Sequence, residues 1–108
     1  MSREKGNIAE KMAREYLISC GFEIVTQNFY SKFGEIDIVA LKDEVLHFVE
    51  VKSGENFNPI YAITPKKLQK IQKTIQYFLM QNKIDRQYCI DAICIQKDKI
   101  NFLENIIF

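Results

Sequence analysis

Four side chains near the middle of the sequence are of types that handle metal and phosphate chemistry. Glu35 and Asp37 stand in the run Gly34-Glu35-Ile36-Asp37-Ile38, and Glu50 and Lys52 in Phe48-Val49-Glu50-Val51-Lys52. Within each run the charged residues are two apart, so on extended chain they share a face. Lys42-Asp43-Glu44 between the runs is too short for anything but a hairpin. An even-length loop, either Asp43-Glu44 or Lys42 to Val45, then sets Asp37 opposite Glu50 and Glu35 opposite Lys52. Opposed residues have Cβ atoms about 5 Å apart. Two carboxylates this close repel, and a divalent cation is the natural compensation. Mg²⁺ takes oxygen ligands and commonly uses one or two carboxylates with water and phosphate. Lys52 would then touch a scissile phosphate or an attacking water. A salt bridge between Glu35 and Lys52, with Glu50 protonated or solvated at a sheet edge, fits the same spacing. An odd loop or a bulge would break the pairing.

The elements that position these residues follow from periodicity. Ile8, Ala9, Met12, Ala13, Tyr16, Leu17 and Cys20 recur at spacings of three and four. That predicts an amphipathic helix over residues 3–20, with Ser2 as cap and Gly21 as left-handed C-cap. Residues 22–27 read as a short strand, and 35–41 and 45–52 as two more, rich in Ile and Val. The same register puts Val39 opposite Phe48 and Leu41 opposite Leu46 on one face. It puts Ile36 opposite Val51 and Ile38 opposite Val49 on the other. Both faces are mostly apolar, so the hairpin is central and covered on both sides. Residues 53–63 read as a loop. A second helix opens with Thr64 as cap and Pro65 at its first position, and strands follow at 88–96 and 100–102. The order helix, three strands, helix, two strands predicts an α/β fold: a mixed central sheet with a helix on each side.

The chain has 108 residues, 47% hydrophobic and 27% charged. That predicts one ordered domain. No apolar run exceeds four residues, the length of Ile38 to Leu41, so no membrane span is expected. The N-terminus has neither apolar stretch nor cleavage site, so a cytoplasmic protein is expected. Cys20, Cys89 and Cys94 form no C-x-x-C pair, and His47 is the only histidine. A zinc site would require them all to converge, and the expectation is three reduced, buried thiols.

The net charge is only +1, but it is unevenly spread. Residues 35–60 hold six acids and two bases, and residues 61–84 hold five bases and no acid. On the second helix Lys66, Lys70, Lys73 and Tyr77 make one stripe, with Lys67 to one side. The stripe reads either as a track for a phosphate backbone or as the solvated face of an amphipathic helix.

The paired G-E-I-D and F-V-E-V-K segments resemble the YraN family of small bacterial proteins. That family is placed in the Holliday-junction-resolvase-like branch of the PD-(D/E)XK nuclease superfamily. The likeness covers most of the chain. It extends to Gly6, Ala9-Glu10, Ala13, Tyr16-Leu17 and Gly21-Phe22, to Asn28, to Pro65-Lys66-Lys67-Leu68 and to Ile90-Asp91-Ala92. Three positions depart from the pattern: Ile36 stands where the superfamily motif has proline, Ala9 where the family usually has glycine, and Gly54 where it commonly has a basic residue.

The resemblance implies a restriction-endonuclease-like fold with an αβββαβ core. It also implies Mg²⁺- or Mn²⁺-dependent phosphodiester hydrolysis in DNA, branched or flapped. Glu10, Asp37 and Glu50 would be metal ligands and Lys52 the catalytic lysine, with Glu35 assisting. Lys66, Lys67, Lys70 and Lys73 would face nucleic acid, and a homodimer is the assembly the resolvase likeness suggests. The alternatives are a non-catalytic nucleic-acid-binding module that keeps the fold, and a structural protein in which the charges form a salt-bridge network.

Overall fold

A computed structural model describes residues 3–55 and 58–106. The chain runs α1 (Arg3–Ser19), β1 (Glu23–Ser31), β2 (Gly34–Lys42), β3 (Val45–Ser53), a short 3₁₀ turn (Pro59–Ala62), α2 (Pro65–Gln81), β4 (Tyr88–Gln96) and β5 (Lys99–Leu103). The five strands form one sheet in the order β1-β2-β3-β4-β5. All neighbours are antiparallel except β3 and β4, which run parallel. A parallel pair needs a crossover, and α2 supplies it. The expected mixed sheet with a helix on each face is therefore present.

Local chemistry explains the boundaries. The Ser2 cap expected for α1 lies outside the described residues. At the other end Gly21 adopts φ 92, and Phe22 N–H returns to the Leu17 carbonyl at 3.0 Å. This is a Schellman closure, which favours glycine. Lys42 Nζ donates to the Cys20 carbonyl at 2.7 Å, satisfying an orphan acceptor at that helix end. Thr64 caps α2 by accepting the Lys67 N–H at 3.2 Å, with Pro65 at the first position. The β2–β3 turn is the two-residue form. Asp43 and Glu44 have φ 51 and 69, and Lys42 pairs with Val45. Two positive φ values match the right-handed twist of the flanking strands.

Each helix covers its own apolar layer. Ala9, Ala13 and Leu17 of α1 pack on Phe22, Ile38, Ala40, Val49, Val51, Ile93 and Ile95. Ile71, Ile75 and Phe78 of α2 pack on Ile36, Val39, Leu46, Phe48 and Ile90. One expectation is corrected here: Ile36 does not share a face with Ile38. It lies in the α2 layer and Ile38 in the α1 layer. The β1–β2 ladder pairs Gln27 with Ile38 and Phe29 with Ile36, and passes over Asn28 and Asp37 between them. Asn28 has φ 54, a value asparagine tolerates better than most residues. Side-chain alternation thus slips by one at Asn28 and Asp37. β1 also runs beyond the expected end at residue 27, to Ser31, and carries a register shift between Ile24 and Thr26.

Gly34, where β2 begins, has φ 154. A Cβ there would meet Thr74 Oγ1 at 3.4 Å and the Lys70 Cβ at 3.9 Å. Thr74 is fully buried and donates to the Lys70 carbonyl at 2.9 Å, so it cannot easily yield. Gly34→Ala is expected to lower the free energy of unfolding by about 1–3 kcal/mol. Urea titration of wild type and variant checks this, and an unchanged midpoint would refute it.

Candidate active site

β2 and β3 keep the expected register from Lys42–Val45 to Ile38–Val49, and there the ladder ends. Beyond it the strands part. Asp37, turned by the slip in alternation, sends its carboxylate across the gap and accepts the Val51 backbone N–H at 2.8 Å. The position opposite Glu50 is therefore not a ladder pair, but the two acids still meet. Their interaction raises Glu50 and lowers Asp37, which favours the proton on Glu50.

Burial dominates the electrostatics. Glu50 is 7% exposed and sits on a central strand, not at a sheet edge. Burial first, and the Asp37 charge second, push its carboxyl well above the usual glutamate range. Burial also raises Asp37, although the Val51 N–H and the Lys52 charge pull it back. Among the described residues Glu50 Oε1 is buried with no hydrogen-bond partner. Leaving such an acceptor unpaired costs about 1–3 kcal/mol.

Glu10 of α1 and Glu35 of β2 flank this pair. With its amide nitrogen turned inward, Asn28 donates to Glu10 Oε1 at 2.7 Å and to Glu35 Oε1 at 3.1 Å. Burial and the Asp37 charge raise both glutamates, and a hydrogen bond from Tyr30 tempers Glu35. Glu10 thus joins Glu35 through Asn28 and does not close a three-carboxylate cluster with Asp37 and Glu50. Among the described residues, the triplet of ligand-type side chains with all donor atoms within 4.8 Å is a different one, His47, Cys89 and Asp91. The salt bridge between Glu35 and Lys52 is not formed either. The ion pairs among the described residues are His47–Asp91 and Arg86–Glu44.

An open cleft of about 140 Å³ reaches Glu50, lined by Gly34, Glu35, Glu50, Lys52, Ile63, Lys67, Lys70 and Ile71. A water needs only about 10–15 Å³ of such space, so a hydrated ion fits easily. Lys67 and Lys70 border the cleft, whereas Lys66 and Lys73 lie beyond it. The basic rim therefore differs from the expected stripe: Lys67, set to one side on the helical wheel, is a rim residue. Asn28 and Tyr30 have roles that spacing did not indicate. A polar residue able to take positive φ inside a strand was the available signal for Asn28.

Once ionised, the two adjoining carboxyl groups suit a hard divalent cation, which needs only one or two protein carboxylates. The five-stranded mixed sheet with its helix on each face is compatible with a restriction-endonuclease-like fold. The sequence matches the family described as "Uncharacterised protein family UPF0102" over residues 9–95, and the chain belongs to that family, the YraN family that its motifs resemble. It is 58% identical over 106 residues to a UPF0102 protein of Helicobacter pylori (strain HPAG1), covering 98% of this chain and 93% of that one. A UPF0102 protein of Wolinella succinogenes is 53% identical over 106 residues, 98% of either chain. One from Helicobacter hepaticus is 52% identical over 105 residues, 97% of this chain and 96% of that one. No helix among the described residues is long and apolar enough to cross a membrane.

Proposed function

We propose that the chain is a Mg²⁺- or Mn²⁺-dependent endonuclease acting on DNA, with branched or flapped structures as the substrate class. The observation that carries this reading is Glu50: a buried carboxyl on a central strand, against a second acid, with one oxygen that receives no donor from the described residues. Buried polar oxygens are ordinarily paired with protein, water or a bound group, and the cleft gives an ion access to this one. Asp37 and Glu50 would hold the ion, and Glu10 and Glu35 would hold its waters. When bound, a divalent ion there supplies charge neutralisation at the phosphate and a water of lowered pKa. Asp37 keeps its place through the Val51 N–H, so the ligand is fixed before any ion arrives. Lys52 lines the same cleft as Glu50 and would stabilise charge developing on the phosphate or hold the attacking water. Lys67 and Lys70, on the α2 wall of that cleft, would receive the flanking phosphates.

The experiment is a cleavage screen of the purified protein on duplex, single-stranded, flap and four-way DNA with Mg²⁺, Mn²⁺ or chelator. Metal-dependent cutting that vanishes in Asp37→Asn is expected. Metal-independent DNA binding without cleavage of any substrate would leave the binding-module reading instead.

The rim makes a separate claim. Replacing Lys67 and Lys70 by Ala should weaken DNA binding and reduce the slope of log affinity against log salt by about 2, one for each phosphate no longer neutralised. The Lys66→Ala/Lys73→Ala pair should change the slope less. Wild-type slopes in both double variants, measured by fluorescence anisotropy, would make all four lysines a solvated face.

A further inference from the structure

We propose that His47, Cys89 and Asp91 form a second metal site, on the α1 face of the sheet, that takes Zn²⁺ or an ion of the same borderline-soft class. Three donors converge there because β3 and β4 are parallel neighbours with His47 level with Cys89, and Asp91 two residues further along β4. His47 Nδ1 lies 2.5 Å from Asp91 Oδ2 and 3.1 Å from Cys89 Sγ. Cys89 Sγ lies 3.3 Å from Asp91 Oδ1. Asp91 is fully buried and His47 is 8% exposed, while Cys89 is half-buried and leaves a path for an ion.

The donor set selects the metal. Thiolate, imidazole and carboxylate together match zinc, whereas Mg²⁺ and Ca²⁺ take oxygen alone. Bond lengths of about 2.0–2.3 Å in a tetrahedron set donor atoms about 3.3–3.7 Å apart. The His47–Asp91 Oδ2 and His47–Cys89 separations therefore each need to open by less than about 1 Å. The supporting interactions also suit a ligated centre. Phe22 stacks edge-to-face on the His47 ring at 4.9 Å. Asn105 N–H donates to Asp91 Oδ1 at 2.8 Å, which would orient that carboxylate. Three protein ligands leave the fourth position to water, with the charge of Glu104 close to Cys89. On binding, Cys89 releases its proton to solvent, and His47 ligates through Nδ1 with its proton on Nε2. The site stands three residues along β3 from Glu50 and faces the other helix, so it does not depend on the nuclease reading.

Cobalt(II) titration of the metal-stripped full chain tests the assignment. One equivalent should produce a thiolate-to-cobalt charge-transfer band that added Zn²⁺ bleaches. The band should persist in the Asp37→Asn/Glu50→Gln double variant. In Cys89→Ser it should be lost, with Zn²⁺ affinity down by more than about tenfold. Should that variant fail to fold, alkylation of wild-type protein mapped by mass spectrometry gives the same answer: Zn²⁺ should protect Cys89 and leave Cys20 reactive. Absence of a thiolate band, its survival in Cys89→Ser, or no Zn²⁺ protection of Cys89 would overturn the proposal.

Discussion

Asp37→Asn and Lys52→Ala are expected to separate metal binding from catalysis. Asp37→Asn should lose most Mg²⁺ or Mn²⁺ affinity and lower cleavage by at least about 10²–10³-fold, the scale of a deleted transition-state interaction. Lys52→Ala should lower cleavage by a similar factor and leave metal affinity within about twofold, because an ammonium cannot be a ligand. Asparagine is the informative replacement. Its side-chain oxygen can still accept the Val51 N–H that Asp37 holds at 2.8 Å. Alanine would orphan that buried donor at a cost of about 1–3 kcal/mol and confuse lost chemistry with lost fold. Calorimetry of the two ions beside the cleavage assay reads both quantities. Loss of metal binding in Lys52→Ala, or full cleavage by Asp37→Asn, would remove these roles. Glu35→Ala should fall between the two, since Glu35 lines the cleft beside Glu50 and Lys52 but is not part of the buried pair.

The register of the β2–β3 ladder was legible because it depends on local quantities. Alternation fixes the faces, and a two-residue turn at Asp43-Glu44 fixes the pairing from Lys42–Val45 to Ile38–Val49. What lay beyond that ladder was not legible. The slip at Asn28 and Asp37 moves Ile36 to the α2 layer, yet an isoleucine is apolar on either face and leaves no trace in the pattern. The extension of β1 to Ser31 crosses polar Gln27 and Asn28, and only the ladder with β2 holds it extended. Lys67 turned toward the cleft because α2 is oriented by its packing on Ile36 and Phe48, and the wheel of one helix does not contain that information. The His47–Cys89–Asp91 cluster has the same origin. His47 and Cys89 are brought level by a parallel pairing across a whole crossover, so no short spacing announces it. The expectation of three buried thiols therefore needed correction: only Cys94 is buried, and Cys20 and Cys89 are half-buried.

The metal-free protein should be less stable at pH 8 than near pH 5, and Glu50→Gln should remove much of that loss. Glu50 has a native carboxyl well above its ordinary value of 4.5, because of burial and then Asp37. Asp37 is raised above 3.8 by burial, and burial raises Glu10 and Glu35 as well. A group raised in this way keeps in the folded state a proton that the unfolded chain has already lost. Its stabilising contribution is full below the ordinary carboxylate range. It disappears as pH climbs from there through the raised native value. Each retained proton gives a slope of up to about 1.4 kcal/mol per pH unit over that window. Glutamine keeps the shape and cannot ionise, so the difference between wild type and Glu50→Gln isolates this one site from the remaining titrations. Mg²⁺ should flatten the wild-type slope as well, since the ion takes over the compensation that the proton provides in its absence. Urea unfolding in chelator and in Mg²⁺, across pH 5 to 8, measures both effects. A variant with the wild-type slope would mean that Glu50 ionises freely in the folded chain, and the orphaned oxygen would no longer argue for a cation.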